Sequence, residues 1–111
     1  MRRVPAGPVF ASIFKKGSRS KDALLLVCAA PNNQAHARLG VNVARKVASK
    51  AVARNRIKRQ VRETFRLHQH DVPNYDVVVI AQIGAGAADN AALRGSLREH
   101  LKKIAQKCKK S

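Results

Sequence analysis

The chain has 111 residues and a formal net charge of +17, from 23 Lys and Arg against 6 Asp and Glu. This length suffices for one domain, residues 1–111, and excludes two. The charge exceeds what solubility requires and opposes compaction, so we expect a polyanion as the working partner. No apolar run is long enough to span a bilayer, and no secretory signal is evident, so we expect a cytoplasmic protein without a membrane partner.

The chain begins with a loose, proline-rich segment over residues 1–8. A short amphipathic helix is predicted over residues 9–17. Phe10 and Phe14 recur there at a helical interval, and Gly17 supplies a C-terminal stop. This helix therefore holds two of the three phenylalanines of the chain.

Two strands are predicted next. Residues 22–30 form an apolar run whose shortness favours a buried strand over a helix, with Cys28 as a small apolar filler. A turn follows at residues 31–34. Residues 37–46 alternate between apolar and polar positions, as a strand covered on one face does. We expect the two strands to pair as a hairpin.

The period changes to helical over residues 49–67, with Ser49 available as the N-cap. After a turn at Pro73, residues 75–82 form a continuous β-branched run, which is typical of a central strand covered on both faces. Residues 83–89 are rich in Gly and Ala and predict a flexible loop.

A final helix begins near Asp89 or Asn90, either of which can cap it. Its apolar positions recur every three or four residues at Leu93, Leu97, Leu101 and Ile104. Residues 105–111 form a basic tail that can fray; its lysines fit a solvated helix end or an RNA contact. The element order α-β-β-α-β-α indicates the α+β class, as a single-domain α/β sandwich around a central, mostly antiparallel sheet.

The predicted central helix has two unlike faces at roughly 100° per residue. Its apolar half carries Ala53, Ile57, Val61, Thr64, Phe65 and Leu67. Its cationic half carries Asn55, Arg56, Lys58, Arg59, Arg62 and Arg66. Arg54 lies on the flank, from which its long stem can carry the charge outward.

This cationic half is either a solvated face or a surface for a polyanion. A solvated face would alternate in sign, yet Lys58, Arg62 and Arg66 form like-charge pairs at i, i+4, which destabilise a helix. Phosphate would reverse that cost, and Asn55 suits a 2′-hydroxyl or a base edge. RNA is preferred to DNA because the sequence shows no helix-turn-helix pair, zinc-ligand set or leucine heptad.

No protein active site is predicted. The six acids are scattered and form no carboxylate cluster of the kind a two-metal nuclease needs. His68 and His70 with Asp71 could suggest a metal or general-base site, but adjacent loop histidines on a basic protein are more often solvated. His36 and His100 are isolated in the sequence. We therefore expect no protein-bound metal.

The basic segment and its neighbours resemble the protein subunit of bacterial ribonuclease P. The matching motif residues are Lys46, Lys50, Arg54, Asn55, Arg56, Lys58, Arg59 and Arg62. The resemblance extends to residues 9–17, 37–46 and 72–86, which follow one another in the family's order. It covers residues 9–101 as a whole. Residues 1–8 depart from it, because they are shorter and richer in proline than the usual basic lead-in.

The resemblance implies a function for each surface. In that family a catalytic RNA removes the 5′ leader of precursor transfer RNA with Mg²⁺, bound mainly by the RNA, and the small basic protein assists. The surface implied to meet the catalytic RNA comprises Arg45, Lys46, Lys50, Arg54, Asn55, Arg56, Lys58, Arg59, Arg62 and Arg66. Phe10, Phe14 and Lys15, with an exposed sheet face, are implied to bind the leader, although core packing of the phenylalanines stays open.

The resemblance also implies a βαβ crossover that contains the basic helix and is left-handed, against the usual right-handed rule. Two functions remain as alternatives. The chain is either a protein cofactor of an RNA enzyme, with no catalytic residue of its own, or a non-enzymatic RNA-binding protein of ribosomal or chaperone-like type.

Overall fold

The computed structural model describes residues 2–3, 18–32, 36–72 and 74–109. Its strands are β1 (Arg2–Arg3), β2 (Ser18–Lys21), β3 (Leu25–Pro31), β4 (Arg38–Asn42) and β5 (Tyr75–Ala81). Its helices are α1 (Ala51–His68) and α2 (Asn90–Lys109), with 3-10 turns at Gln69–Asp71 and Ile83–Gly86. The helix predicted over residues 9–17 lies outside the described residues.

The strands form one mixed sheet in the order β1-β4-β5-β3-β2. The longest pairing, between β3 and β5, is antiparallel, as is that between β2 and β3. Strand β4 runs parallel to β5 on one side and to β1 on the other. The predicted α+β class and the β4–α1–β5 crossover are confirmed, and the left hand of the crossover stays a prediction.

The predicted hairpin of β3 with β4 is wrong, because β5 lies between these two strands. Val77, Val78 and Val79 of β5 are fully buried, so this strand needs a neighbour at each edge and a cover on each face. The two outer strands were not predicted. Strand β1 lies within the segment expected to be loose, and β2 has the polar sequence of Ser18–Lys21, which carries no apolar pattern.

The main core lies between one face of the sheet and the two helices. Strands β3, β4 and β5 contribute Leu25, Val27, Ala29, Leu39, Val77 and Val79. Helices α1 and α2 contribute Ile57, Val61, Phe65, Leu93, Leu97, Leu101 and Ile104. A smaller cluster on the opposite face contains Cys28 and Val78. The alternation along the strands therefore assigns both helices to one face, and β5 is covered on both, as predicted.

The starts of the two helices are stabilised in different ways. Asp89 caps α2, because its Oδ1 accepts the backbone N–H of Ala92 at 2.8 Å. The prediction of Ser49 as the cap of α1 is wrong: the N-cap position is Lys50, which makes no side-chain capping bond. Arg54 instead reaches back to the carbonyl oxygens that precede the helix, and holds the approach to α1 with its guanidinium.

A buried polar cluster joins α2 to the β2 edge of the sheet. His100, isolated in the sequence, lies with its Nδ1 2.6 Å from Ser20 Oγ and its Nε2 3.2 Å from Asp22 Oδ2. Ser96 donates its hydroxyl to the same Asp22 oxygen at 2.6 Å. Burial raises the pKa of Asp22, but hydrogen bonds from Ser96 and from two backbone N–H groups, with His100 nearby, lower it to about 2. The cluster therefore holds a carboxylate against α2.

The predicted flexible loop contains the 3-10 turn Ile83–Gly86, which packs tightly. A Cβ built on Gly84 would lie 2.5 Å from Ala23 O, and one built on Gly86 would overlap Val47 O. Both contacts are with backbone atoms, which cannot rotate away as a flexible side chain can. The glycines thus allow the turn to approach the segments that precede β3 and α1.

We expect Gly86→Ala to lower the free energy of unfolding by about 1–3 kcal/mol, as overpacking against a rigid neighbour does. Gly95→Ala is the matched control, since a Cβ there meets only Arg98 Nη2, at 4.0 Å. That control should raise the free energy of unfolding by roughly 0.5–1 kcal/mol through helix propensity. Urea unfolding of both variants measures the difference, and equal effects of the two substitutions would contradict the tight packing of the turn.

Candidate nucleic-acid interface

Helix α1 presents the two faces expected from its sequence, with one exception. Ile57, Val61, Thr64 and Phe65 are buried beneath it, while Asn55, Arg59, Arg62 and Arg66 are exposed and Lys58 is half-buried. The exception is Leu67, assigned to the apolar half but 63% exposed. It lies on the flank of the apolar half and lines a groove between α1 and α2. The exposed side of α1, with Lys58, Arg59, Arg62 and Arg66, is called the cationic face. Its helix is held in place by the buried residues on the opposite side.

The turn that leads into α1 extends this face. Arg45, Lys46 and Lys50 are exposed there, while Val47 and Ala48 between them are buried. The backbone N–H of Val47 donates to Ala44 O at 3.0 Å and closes the turn. Because the apolar residues fix the turn, its three cations stand beside those of α1.

Two of the predicted RNA-contacting arginines are held by contacts within the chain. Arg54 donates from Nη1 to Ala48 O at 3.0 Å and to Ser49 O at 2.8 Å. Arg56 donates from Nη1 to Asn90 Oδ1 at 2.8 Å and from Nη2 to Ala88 O at 3.2 Å. Arg56 therefore ties α1 to the start of α2. This bond could not be predicted from the sequence, because the partners of Arg56 lie more than thirty residues away.

Among the other cations of this face, only Arg66 forms an ion pair with a described residue. Arg66 pairs with Glu63 at 3.0 Å, but both groups are exposed, so this pair stabilises little. No hydrogen bond or ion pair joins the remaining six side chains to another described residue; they are Arg45, Lys46, Lys50, Lys58, Arg59 and Arg62. Their charges are available to an external anion.

One arginine on the sheet face opposite the helices is neutralised within the chain. Arg38, at the start of β4, donates from Nε to Asp76 Oδ1 at 2.6 Å and forms a second bond to the other carboxylate oxygen. Asn32 donates to the same Asp76 at 2.9 Å. The bonds to Asp76 raise the pKa of Arg38. The arginine and the carboxylate neutralise each other at this end of the face.

The expected leader contacts Phe10, Phe14 and Lys15 lie outside the described residues, so their role stays a prediction. Within the described ranges, no group of three or more His, Cys, Asp and Glu side chains could hold a metal ion. His68 is half-buried beside the groove and Asp71 is exposed. No helix in the described residues combines the length and hydrophobicity that crossing a membrane requires.

A mixed sheet with a cationic crossover helix defines this chain as a small basic α+β protein, and comparison with known proteins gives its family. The family model described as Ribonuclease P matches residues 2–105. A Ribonuclease P protein component from Idiomarina loihiensis is 50% identical over 100 residues, which cover 89% of this chain and 80% of that protein. One from Methylococcus capsulatus is 44% identical over 104 residues, covering 93% of this chain and 81% of that protein.

Solved structures agree with this match. The RNase P protein of Staphylococcus aureus has a TM-score of 0.84 at 33% identity, covering 92% of this chain and 94% of that one. The RNase P protein from Thermotoga maritima has a TM-score of 0.81 at 33% identity, covering 94% of this chain and 98% of that one. The chain therefore belongs to the ribonuclease P family of protein components, and the resemblance inferred from its sequence is confirmed.

The contacts of Arg56 and the exposure of Arg59 predict that their removal lowers the free energy of unfolding by different amounts. We expect Arg56→Ala to lower the free energy of unfolding by about 1–2 kcal/mol, because Ala88 O and Asn90 lose their donor. Arg59→Ala is the matched control on the same helix and should change it by less than about 0.5 kcal/mol. Denaturant unfolding monitored by circular dichroism gives both values. Equal stability of the two variants would show that the Arg56 bonds do not join the helices.

Proposed function

We propose that this chain is the protein cofactor of a ribonuclease P ribonucleoprotein, with the catalytic RNA and precursor transfer RNA as partners. The RNA carries out the Mg²⁺-dependent endonucleolytic removal of the 5′ leader, which gives the mature 5′ end, and the protein aids substrate binding. The observation that carries this proposal is the set of cations on α1 and its lead-in turn that have no partner among the described residues of a ribonuclease P family chain. We expect this assembly to work in the cytoplasm.

The cationic face suits an RNA backbone. The guanidinium groups of Arg59 and Arg62 can each bind two phosphate oxygens, and each neutralised phosphate releases condensed counterions. Few internal ion pairs have to break, since only Arg66 has a carboxylate partner on this face among the described residues. Repulsion between the cations, which costs helix stability in the free protein, is relieved when phosphates come between them.

The face of the sheet opposite the helices offers a leader only its margins, because Cys28 and Val78 at its centre are fully buried. Asp76 neutralises Arg38 at the β4–β5 end of this face, whereas Arg19 and Lys21 of β2 lie on the same side as Cys28 and Leu26. We assign the leader to this face together with Phe10, Phe14 and Lys15, because aromatic rings stack on unpaired bases with little sequence preference. Mg²⁺ is supplied to the reaction through the catalytic RNA, and no step is assigned to a protein-bound ion.

Reconstitution tests the cofactor role. Alone, the chain should leave precursor transfer RNA uncut, and added to a bacterial ribonuclease P RNA it should restore cleavage at a Mg²⁺ concentration too low for the RNA by itself. Arg59→Ala should weaken binding to that RNA and reduce the slope of log K against log salt by about 1. A chain that binds RNA yet changes neither the Mg²⁺ requirement nor the substrate affinity would instead be a ribosomal or chaperone-like binding protein.

The leader assignment predicts a substrate-dependent effect of Phe14. We expect Phe14→Ala to weaken binding of leader-bearing precursor by roughly tenfold, the loss of about one stacked base, and to leave mature transfer RNA unaffected. Phe14→Trp keeps an aromatic face and should retain most of the affinity. The affinities of leader-bearing precursor and of mature transfer RNA for the reconstituted ribonucleoprotein measure these effects. Equal losses for the two RNAs would mean that Phe14 serves only the core.

A further inference from the structure

A groove runs between the C-terminal half of α1 and the first half of α2, away from the cationic face. It consists of two cavities of about 320 and 570 Å³, sizes within the usual range of ligand clefts. Thr64, Leu67, His68, Ala91, Arg94 and Arg98 line the smaller cavity. His68, Asp71, Gly95, Arg98, Glu99 and Lys102 line the larger one. His68 and Arg98 line both cavities, so the two lie next to each other.

One wall of the groove is a row of like charges. Arg94, Arg98 and Lys102 follow each other at i, i+4 along α2, a spacing at which like charges destabilise a helix. Each is exposed, and none forms a hydrogen bond or an ion pair with another described side chain. This row repeats on α2 the pattern seen on α1. Core packing does not account for this row of cations, because α2 packs on the core with a different set of residues, Leu93, Leu97, Leu101 and Ile104.

The floor of the smaller cavity holds a polar group without a partner. Thr64 is 3% exposed, and its Oγ1 is buried and makes no hydrogen bond. A buried hydroxyl without a bond is costly, so such groups are uncommon in native proteins. Thr64 lines the same cavity as Arg94 and Arg98, whose guanidinium groups have no partner among the described residues. An anion bound in the cavity would bring acceptor oxygens to these two guanidinium groups.

The groove is separate from the cationic face of α1. At roughly 100° per residue, Thr64 lies roughly 160° around the helix axis from Arg62 and Arg66. Glu63 lies on the intervening surface. Within the groove, the carboxylates of Asp71 and Glu99 line only the larger cavity. Phosphate is therefore favoured in the smaller cavity, where the charged side chains are those of Arg94 and Arg98.

We propose that the smaller cavity is a second contact for the backbone of the catalytic RNA, in which Arg94 and Arg98 bind phosphate beside Thr64. This rests on the proposed function, which supplies the RNA, and on the charge complementarity of the groove. With the cationic face on the other side of α1, the helix would lie between two segments of one RNA. Phosphate contacts on both sides of α1 would together fix the orientation of the protein on the RNA.

The experiment compares single charge removals on α2. Arg98→Gln removes a groove cation, and Lys103→Gln removes an exposed cation that does not line the groove and lies roughly 140° away around the helix. We expect Arg98→Gln to weaken binding to the isolated catalytic RNA by about tenfold and to reduce the slope of log K against log salt by about 1. The double variant Arg94→Gln/Arg98→Gln should reduce that slope by about 2. Lys103→Gln should change the affinity by less than about twofold.

The outcomes separate this inference from the function on which it rests. If the unchanged protein does not bind the catalytic RNA, the proposed function and the groove site both fail. If it binds and restores cleavage at low Mg²⁺, but Arg98→Gln matches Lys103→Gln in affinity and salt slope, only the groove site fails. The site on the catalytic RNA is also overturned if Arg98→Gln weakens only precursor transfer RNA. Urea unfolding of each variant verifies that the compared chains are equally folded.

Discussion

The docking of α1 on the sheet is the constraint on which the rest of the molecule depends. Ile57, Val61 and Phe65 are fully buried or nearly so, and they hold in place a helix whose other side carries almost only positive charge. Each such side chain contributes roughly 1.5–3 kcal/mol on burial, whereas each like-charge pair at i, i+4 costs roughly 0.2–0.5 kcal/mol. The apolar stripe therefore outweighs the repulsion, and the chain can hold unpaired cations in a fixed arrangement without an acid to neutralise them.

The position of α2 depends on polar bonds as well as on its leucines. Arg56 joins α1 to the start of α2, and the cluster around His100 joins the middle of α2 to the sheet edge at Ser20 and Asp22. These bonds fix where α2 lies beside α1. The width of the groove between the helices, and the placement of its arginines, follow from that. Arginines that look alike in the sequence thus differ in the structure, since Arg54 and Arg56 hold segments of the chain together and Arg59 and Arg62 have no partner among the described residues.

The sequence could predict those elements whose signal lies within a few neighbouring residues. The apolar repeat of α1, the β-branched run of β5 and the Asp89 cap of α2 are each contained in a few neighbouring residues, and each was found. The strand order could not be found in this way, because β3 pairs with β5 across some fifty residues, and no pattern within a strand identifies its neighbours. The polar strand β2 likewise forms because it pairs with β3, and its own sequence has no strand pattern.

The same distinction applies to the candidate site. A helical wheel separates cations from apolar residues, but it does not show which cations already have partners, and Arg54 and Arg56 differ from Arg59 only in contacts made with other segments. It also misses the groove, since Thr64 and Arg98 become neighbours only when α2 packs beside α1. The cations of the helix pair lie on two separate surfaces, the outer face of α1 and the groove side of α2. That separation lowers their mutual repulsion in the free protein, and it lets an RNA that reaches both faces neutralise more charge than one surface could offer.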